Sequence, residues 1–354
     1  MTAGKGKRMM NPKRKRVTIK QVAQEAGVST QTVSRVTNDR PDVAPETRQR
    51  VLEVIERLGY QPSALARSLI RQRSHTLGVV TAGLEYVGPS HTLSGITEQA
   101  EAMGYSLLLK ELPEFDTSDV EPILNALLAR QVDGIIWAVA EVSDNRDWLA
   151  DRLNDLPVPI VFLTMHQRPD LSIVSVDNYL GGRIATEYLL KQGYRHIGHV
   201  AGPLKWWESR QRQAGWQNAL LDAGIRVSED QSVEGDWSSE SGEKAIRQLL
   251  DQYREMDAVF VANDQMALGV LQVTCRRGLK VPQDLAVVGF DGIPEAAYYW
   301  PPLTTVKQDL HRLGCIAVEQ VLQAIEANQE PKVVYEPETI LLKPRLIIRE
   351  SAGA

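Results

Sequence analysis

The sequence predicts a small three-helix domain followed by a larger α/β domain of two lobes built on parallel sheets. Three observations lead there. A chain of 354 residues exceeds what one core of ordinary size needs. Residues 17–61 carry apolar spacing of helical period, and beyond Ser74 short β-rich runs alternate with helical stretches. The predicted bounds are a basic disordered tail over 1–16, the helical domain over 17–61, a hinge helix and linker over 62–74, and the α/β domain over 75–350. Within that domain the first lobe takes about 75–175 plus 307–335, and the second about 176–306 plus 336–350.

The first helix follows Thr18, which with Gln21 forms a capping box, and its apolar face is Ile19, Val22, Ala23 and Ala26. Gly27 stops it. Ser29 caps a second helix that turns only Val33 and Val36 inward, leaving Thr30, Gln31, Thr32, Ser34 and Arg35 outside. A third helix starts at Pro45, runs through Val51, Val54, Ile55 and Leu58, and ends at Gly59. A face of amides, hydroxyls and one guanidinium is poor core material. It suits a nucleic-acid groove, because Gln pairs bidentately with adenine, Arg with guanine, and hydroxyls with phosphate oxygens. Two short helices joined through a Gly also describe a plain helical hairpin, so spacing alone leaves both readings open.

Charge separates the two parts. The net charge of −5 conceals +10 over residues 1–73, which hold 16 Lys+Arg against 6 Asp+Glu, and −15 over the remaining 281. The basic end is therefore the expected partner of a polyanion, and the acidic body is not. Cys275 and Cys315 stand far apart without ligand-spaced partners, so neither a disulfide framework nor a metal site is expected. No apolar stretch approaches 18 residues and no signal-peptide core precedes Val17, which predicts a cytoplasmic protein with no membrane partner. A G-x-G-x-x-G after a strand, a P-loop and a G-x-S-x-G elbow are all missing, so no enzymatic activity and no cofactor are expected.

In the α/β domain the expected strands are 77–81, 106–109, 134–138, 160–163, 196–201, 258–262 and 285–290, with a pause over 169–175 dividing the alternation. Open parallel sheets bind ligands at the carboxyl ends of their strands. Polar and aromatic residues gather there: Pro89 and Ser90, then Glu208, Arg210 and Arg212, then Trp237, Asn263 with Asp264, and Asp291. Carboxylate, amide, guanidinium and indole suit a polyhydroxylated small molecule, the polar groups pairing its hydroxyls and the indole covering a C–H face. Taken singly, Asn263, Asp264 and Asp291 are equally good helix caps, and Arg210 an equally good surface ion pair.

Val17 to Asn38, "VTIKQVAQEAGVSTQTVSRVTN", and Gly59 to Leu69, "GYQPSALARSL", resemble the headpiece and hinge of the LacI/GalR family of bacterial repressors. "AGPLKWWESRQRQAGW" (201–216), "EGDW" (234–237), "VANDQMALG" (261–269), "VVGFDG" (287–292) and "PPLTTVKQDLHRLG" (301–314) resemble its effector domain, in the second lobe most like the lactose repressor branch. The resemblance implies that Thr30, Gln31 and Arg35 read bases, that Ser29, Thr32, Ser34 and Asn38 touch phosphates, and that Thr18, Ser63 and Ala66 also lie at DNA. Leu69 would be the wedge that a paired hinge helix drives into the minor groove. It further implies a periplasmic-binding-protein-like pair of lobes joined by three crossovers, with Arg212, Trp237, Asn263, Asp291 and Gln308 on a sugar between them. In the first lobe the pattern departs, since Thr164 and Ala138 stand where that branch has a hydroxyl-binding aspartate and asparagine, and the segment 86–90 differs. A sugar remains the expected ligand, but not a galactoside in particular.

The expected function is that of a repressor: a homodimer on a pseudo-palindromic operator, released by a small sugar inducer. The chain has no leucine heptad after "LLKPRLIIRE", which favours a dimer over a tetramer. A sugar transport protein is the rival for the two-lobed body but needs no basic headpiece. Corepression is the rival for the sign of the response, since "PSALARSL" resembles the hinge of the purine branch.

Overall fold

The computed structural model describes residues 17–37, 40–60, 73–329 and 335–353. Two compact units meet between Ser74 and His75, where the sequence places the start of the α/β domain.

Among its described residues the first unit holds three helices: α1 (Ile19–Ala26), α2 (Thr30–Thr37) and α3 (Pro45–Leu58). The expected capping box forms, with Gln21 N donating to Thr18 Oγ1 and Thr18 N donating to Gln21 Oε1. Thr32 N donates to Ser29 Oγ at 3.1 Å, so Ser29 caps α2 as its sequence position predicts. Gly27 and Gly59 end α1 and α3 in the left-handed region, at φ 66° and 63°. Val22, Val33, Val36, Val51 and Val54 close one small core, and Thr30, Gln31 and Arg35 stay exposed.

The second unit holds two six-stranded sheets. In the first sheet β1 (Thr76–Ala82), β2 (Ser106–Leu112), β3 (Gly134–Ala138), β4 (Ile160–Leu163), β5 (Ser172–Val176) and β11 (Thr339–Leu342) run parallel in the order β11-β5-β4-β3-β1-β2. The second sheet has the order β12-β10-β9-β8-β6-β7, from β6 (Ile197–Ala201), β7 (Ser232–Glu234), β8 (Ala258–Val261), β9 (Ala286–Asp291), β10 (Thr304–Lys307) and β12 (Arg345–Ile347). Among the described strands, β10 and β12 are the one antiparallel pair. Helices α4 (Val87–Ala102), α5 (Glu121–Leu128) and α6 (Trp148–Arg152) belong to the first lobe with α11 (Leu310–Gln329). Helices α7 (Asn178–Lys191), α8 (Trp207–Asp222), α9 (Ser239–Gln252) and α10 (Asp264–Arg276) cover the second sheet.

All seven expected strands are present, and five more among the described residues. Residues 169–175 are not a pause: β5 occupies Ser172–Val176 with every residue buried. Ser172 and Ser175 interrupt its apolar run, which hides it in the sequence. The lobe boundary also needs correction. β11 pairs with β5, so 339–342 belong to the first lobe and the third crossover falls between β11 and β12, not near residue 335. The other two crossovers lead from β5 into α7 and from β10 into α11.

Helices α7 and α8 approach so closely that a Cβ on Gly182 would lie 2.2 Å from the Arg212 carbonyl oxygen. The missing side chain there lets α8 seat against α7, and this contact positions Arg212.

Candidate functional site

The two lobes enclose a cavity of about 470 Å³, in the size range of small-molecule sites. Its walls differ in character. The first lobe contributes the apolar Val87, Pro89, Ala138, Ala140, Leu163 and Leu310 together with Glu85, Tyr86, Thr92 and Thr164. The second contributes Glu208, Arg212, Asp236, Trp237, Asn263 and Asp291, and Gln308 stands on the crossover from β10 to α11.

Arg212, on the second turn of α8, is 3% exposed, and two of its nitrogens are held: Nε donates to Asn178 Oδ1 at 2.8 Å and Nη1 to the Ala262 carbonyl at 2.5 Å. Its guanidinium also lies 3.5 Å from Asp291 Oδ1 and stacks 3.9 Å above the Phe290 ring centroid. Asp291 Oδ1 accepts from Gln308 Nε2 at 2.7 Å. Burial pushes the Asp291 carboxyl above its ordinary value, with Arg212 and the Gln308 bond pulling it back. Glu208 shifts upward for the same reason.

Trp237 follows β7 and covers the cavity with its indole, which rests where a Cβ on Gly202 would be 2.1 Å away. Its buried Nε1 has no partner among the described residues. Asn263 plays both of the roles its sequence position allows: it caps α10, Oδ1 accepting from Met266 N at 2.8 Å, and it lines the cavity while Nδ2 donates to the Trp237 carbonyl. Three cavity residues hold positive φ, Thr164 at 52°, Trp237 at 76° and Asp291 at 108°. Non-glycine residues pay for that conformation, and such positions gather where a side chain must be aimed at a site.

The residues singled out in sequence do not all reach the cavity. Ser90 lies on α4 with its hydroxyl donating back to the Tyr86 carbonyl at 2.8 Å, so it serves its own helix and is not in the wall. Arg210 is exposed and donates to the Leu204 and Lys205 carbonyls. Asp264 is fully buried as an internal staple, accepting from Ile293 N and from Thr305 Oγ1. Other wall residues escaped notice. Asn178 stands at the carboxyl end of β5, and missing that strand hides the position. Asp236 lies inside the "EGDW" run. Trp206, distinctive in the sequence beside Trp207 and Glu208, does line the cavity, preceding α8 with its indole edge-on to Trp237 at 5.8 Å.

On the helical unit, Thr30, Gln31 and Arg35 share the exposed side of α2, and Arg35 Nη1 lies 3.6 Å from Asp42 Oδ2 with both side chains more than half exposed. Thr32 and Ser34 are partly buried on the same helix. Asn38, Ser63, Ala66 and Leu69 lie outside the described residues, as do the tail over 1–16 and most of the expected hinge.

A polar-faced helical headpiece on a body whose two sheets enclose a small-molecule cavity defines a ligand-responsive DNA-binding regulator. Comparison with known proteins gives the family. Residues 18–63 match the family of bacterial regulatory proteins of lacI type, and residues 186–352 match the periplasmic binding protein-like domain. The transcriptional repressor PurR of Pasteurella multocida is 36% identical over 338 residues, covering 94% of this chain and 98% of that one. Catabolite control protein A of Priestia megaterium is 33% identical over 337 residues, covering 95% and 99%. Among solved structures, the lac repressor dimer bound to operator and the anti-inducer ONPF is 34% identical with a TM-score of 0.84, over 96% of this chain and 100% of that one. The regulator CelR in complex with cellobiose is 31% identical with a TM-score of 0.70, over 95% and 100%. The chain belongs to the LacI/GalR family and is a DNA-binding transcriptional repressor with two periplasmic-binding-like lobes. Among the described residues no helix is long and apolar enough to cross a membrane.

Proposed function

We propose that this repressor binds a pseudo-palindromic operator as a homodimer and is released when a small sugar fills the interlobe cavity. The observation that carries the reading is the wall around Arg212: Asp291, Asn263, Glu208 and Gln308 offer acceptors and donors to hydroxyl groups beside an indole face. The cellobiose held by CelR supports a sugar in the same architecture. In the headpiece, Thr30, Gln31 and Arg35 read bases, while Ser29, Thr32, Ser34, Asn38 and Thr18 fix the backbone register. Ser63, Ala66 and Leu69 dock in the minor groove from a hinge helix too short to be stable alone. Tyr298 and Trp300, 88% and 87% exposed on the second lobe, supply apolar surface that a second copy of the chain would cover.

The test is fluorescence anisotropy on an operator recovered by duplex selection, titrated with mono- and disaccharides that raise the thermal midpoint of the protein. Release by such a sugar supports induction. Tighter binding makes the ligand a corepressor and overturns the sign proposed here, while a ligand response that survives Arg212→Ala undiminished overturns the site.

A further inference from the structure

Building on the sugar reading, we propose that Glu208 is the specificity-determining residue of the cavity: its carboxylate takes two neighbouring hydroxyl donors of an uncharged sugar, and the cavity rejects phosphorylated and acidic sugars. Glu208 lies in the first turn of α8 and in the cavity wall, yet among the described residues its carboxylate has no hydrogen-bond or ion-pair partner. Asp291 differs, since its Oδ1 already accepts from Gln308. A partly buried carboxylate without donors is costly, and a ligand that brings two of them recovers that cost. Burial raising the Glu208 carboxyl reflects the same lack of solvation.

The rest of the wall points the same way. Four carboxylates line the cavity, Glu85, Glu208, Asp236 and Asp291, against one cation, Arg212. Nε and Nη1 of that guanidinium are engaged by Asn178, the Ala262 carbonyl and Asp291, so its charge is already partly balanced by the Asp291 carboxylate. Helix N-termini are the usual alternative seat for a phosphate, and several open onto this cavity. Four of them already have a side-chain acceptor of the protein's own. Asp177 caps α7, Asn263 caps α10 and Asp309 accepts from Arg312 N in α11, while Asp236 accepts from the N–H of Ser238, the cap of α9. Glu208 sits on the N-terminus of α8 itself, where its charge meets the positive helix end. At α4 the first turn includes Pro89, which has no N–H, with Glu85 just before it.

The experiment is calorimetric titration and thermal shift with glucose, galactose, cellobiose, maltose, glucosamine, glucuronate and the hexose 6-phosphates. At least one neutral sugar is expected to bind, its phosphate or carboxylate counterpart being weaker by roughly a hundredfold or more. For the neutral binder, Glu208→Gln weakens affinity roughly tenfold to a hundredfold, and removal of the contacted hydroxyl costs wild type far more than the variant. Anionic sugars binding as tightly as neutral ones overturn the proposal while leaving the sugar reading intact. So does preference for glucosamine over every neutral sugar, which would make Glu208 an ammonium site. Silence across the whole panel overturns both. The charge comparison uses wild-type protein alone, so it stands even if Glu208→Gln folds poorly.

Discussion

The indole of Trp206, carried by the second lobe, lies 4.4 Å from the ring of Phe115 on the first. Around this contact the lobes join backbone to backbone: Trp207 N donates to the Glu141 carbonyl and Ser143 N to the Lys205 carbonyl, each at 3.0 Å. Trp206 is also edge-on to Trp237 in the cavity wall, so the residue that clasps the lobes touches the residue that would cover a ligand. Trp206 thus belongs both to the contact between the lobes and to the cavity wall.

Trp206→Ala is expected to lower stability by about 3–5 kcal/mol, the range for deleting a buried large aromatic. Phe115→Ala should cost less, and the two should couple by about 0.5–1.5 kcal/mol in a double-mutant cycle read by urea unfolding. Small-angle scattering of the Trp206 variant should show a larger radius of gyration without ligand. Strict additivity with unchanged dimensions would mean that this contact does not hold the lobes.

Arg212→Ala strips Asn178, the Ala262 carbonyl and Asp291 of a buried partner. Breaking a buried charge pair costs roughly 3–5 kcal/mol, and ligand affinity should fall by about a hundredfold or more. Operator binding without ligand should persist, because the headpiece is a separate compact unit. Loss of both activities together would point to unfolding, which circular dichroism separates.

Two buried groups of the second lobe oppose one another in pH dependence. Burial pushes His199 down to about 4, against a hydrogen bond to the Phe260 carbonyl and with Arg212 adding to the shift. The unfolded chain takes this proton near 6.5 and the folded one does not, so stability is lost as pH falls from about 6.5 to about 4, by roughly 3 kcal/mol. Burial, with Asp291 nearby, pushes Asp264 up to about 7 despite its bonds from Thr305, Ile293 and Gly292. Here the folded state holds the proton that the unfolded state has lost, so stability falls as pH rises from about 4 to about 7, by roughly 4 kcal/mol. The two slopes nearly cancel. His199→Phe, which keeps the stack between Trp216 and Phe260, should expose the downward slope in urea midpoints across that window, and an unchanged profile would contradict it.

In the headpiece, Gln31→Ala should weaken operator binding by about 1–3 kcal/mol and relax one base position. Its affinity for non-operator DNA and its salt slope should not change, because an amide neutralises no phosphate. A uniform loss across sequences would place Gln31 on the backbone.

Much of this was legible in sequence because local rules agreed. Thr18 with Gln21, Ser29, Pro45 and the two stop glycines set the three helices, and uninterrupted apolar runs such as Ile160–Leu163 and Ala258–Val261 marked strands. What escaped was decided by tertiary packing. β5, β7, β10, β11 and β12 have three to five residues each and draw their hydrogen bonds from neighbours far along the chain. Asn178 was lost with β5. Ser90 and Asp264 occupy positions as suggestive as Pro89 and Asn263, and only the direction of a helix and the depth of a carboxylate separate wall from scaffold.

The most direct measurement of the central claim is operator affinity as a function of ligand, for wild type and Arg212→Ala, at one fixed salt concentration. The account predicts that saturating sugar lowers wild-type affinity by roughly 5- to 150-fold, a coupling of about 1–3 kcal/mol, and leaves the variant unmoved. Wild-type affinity that stays constant while the sugar demonstrably occupies the cavity would contradict it.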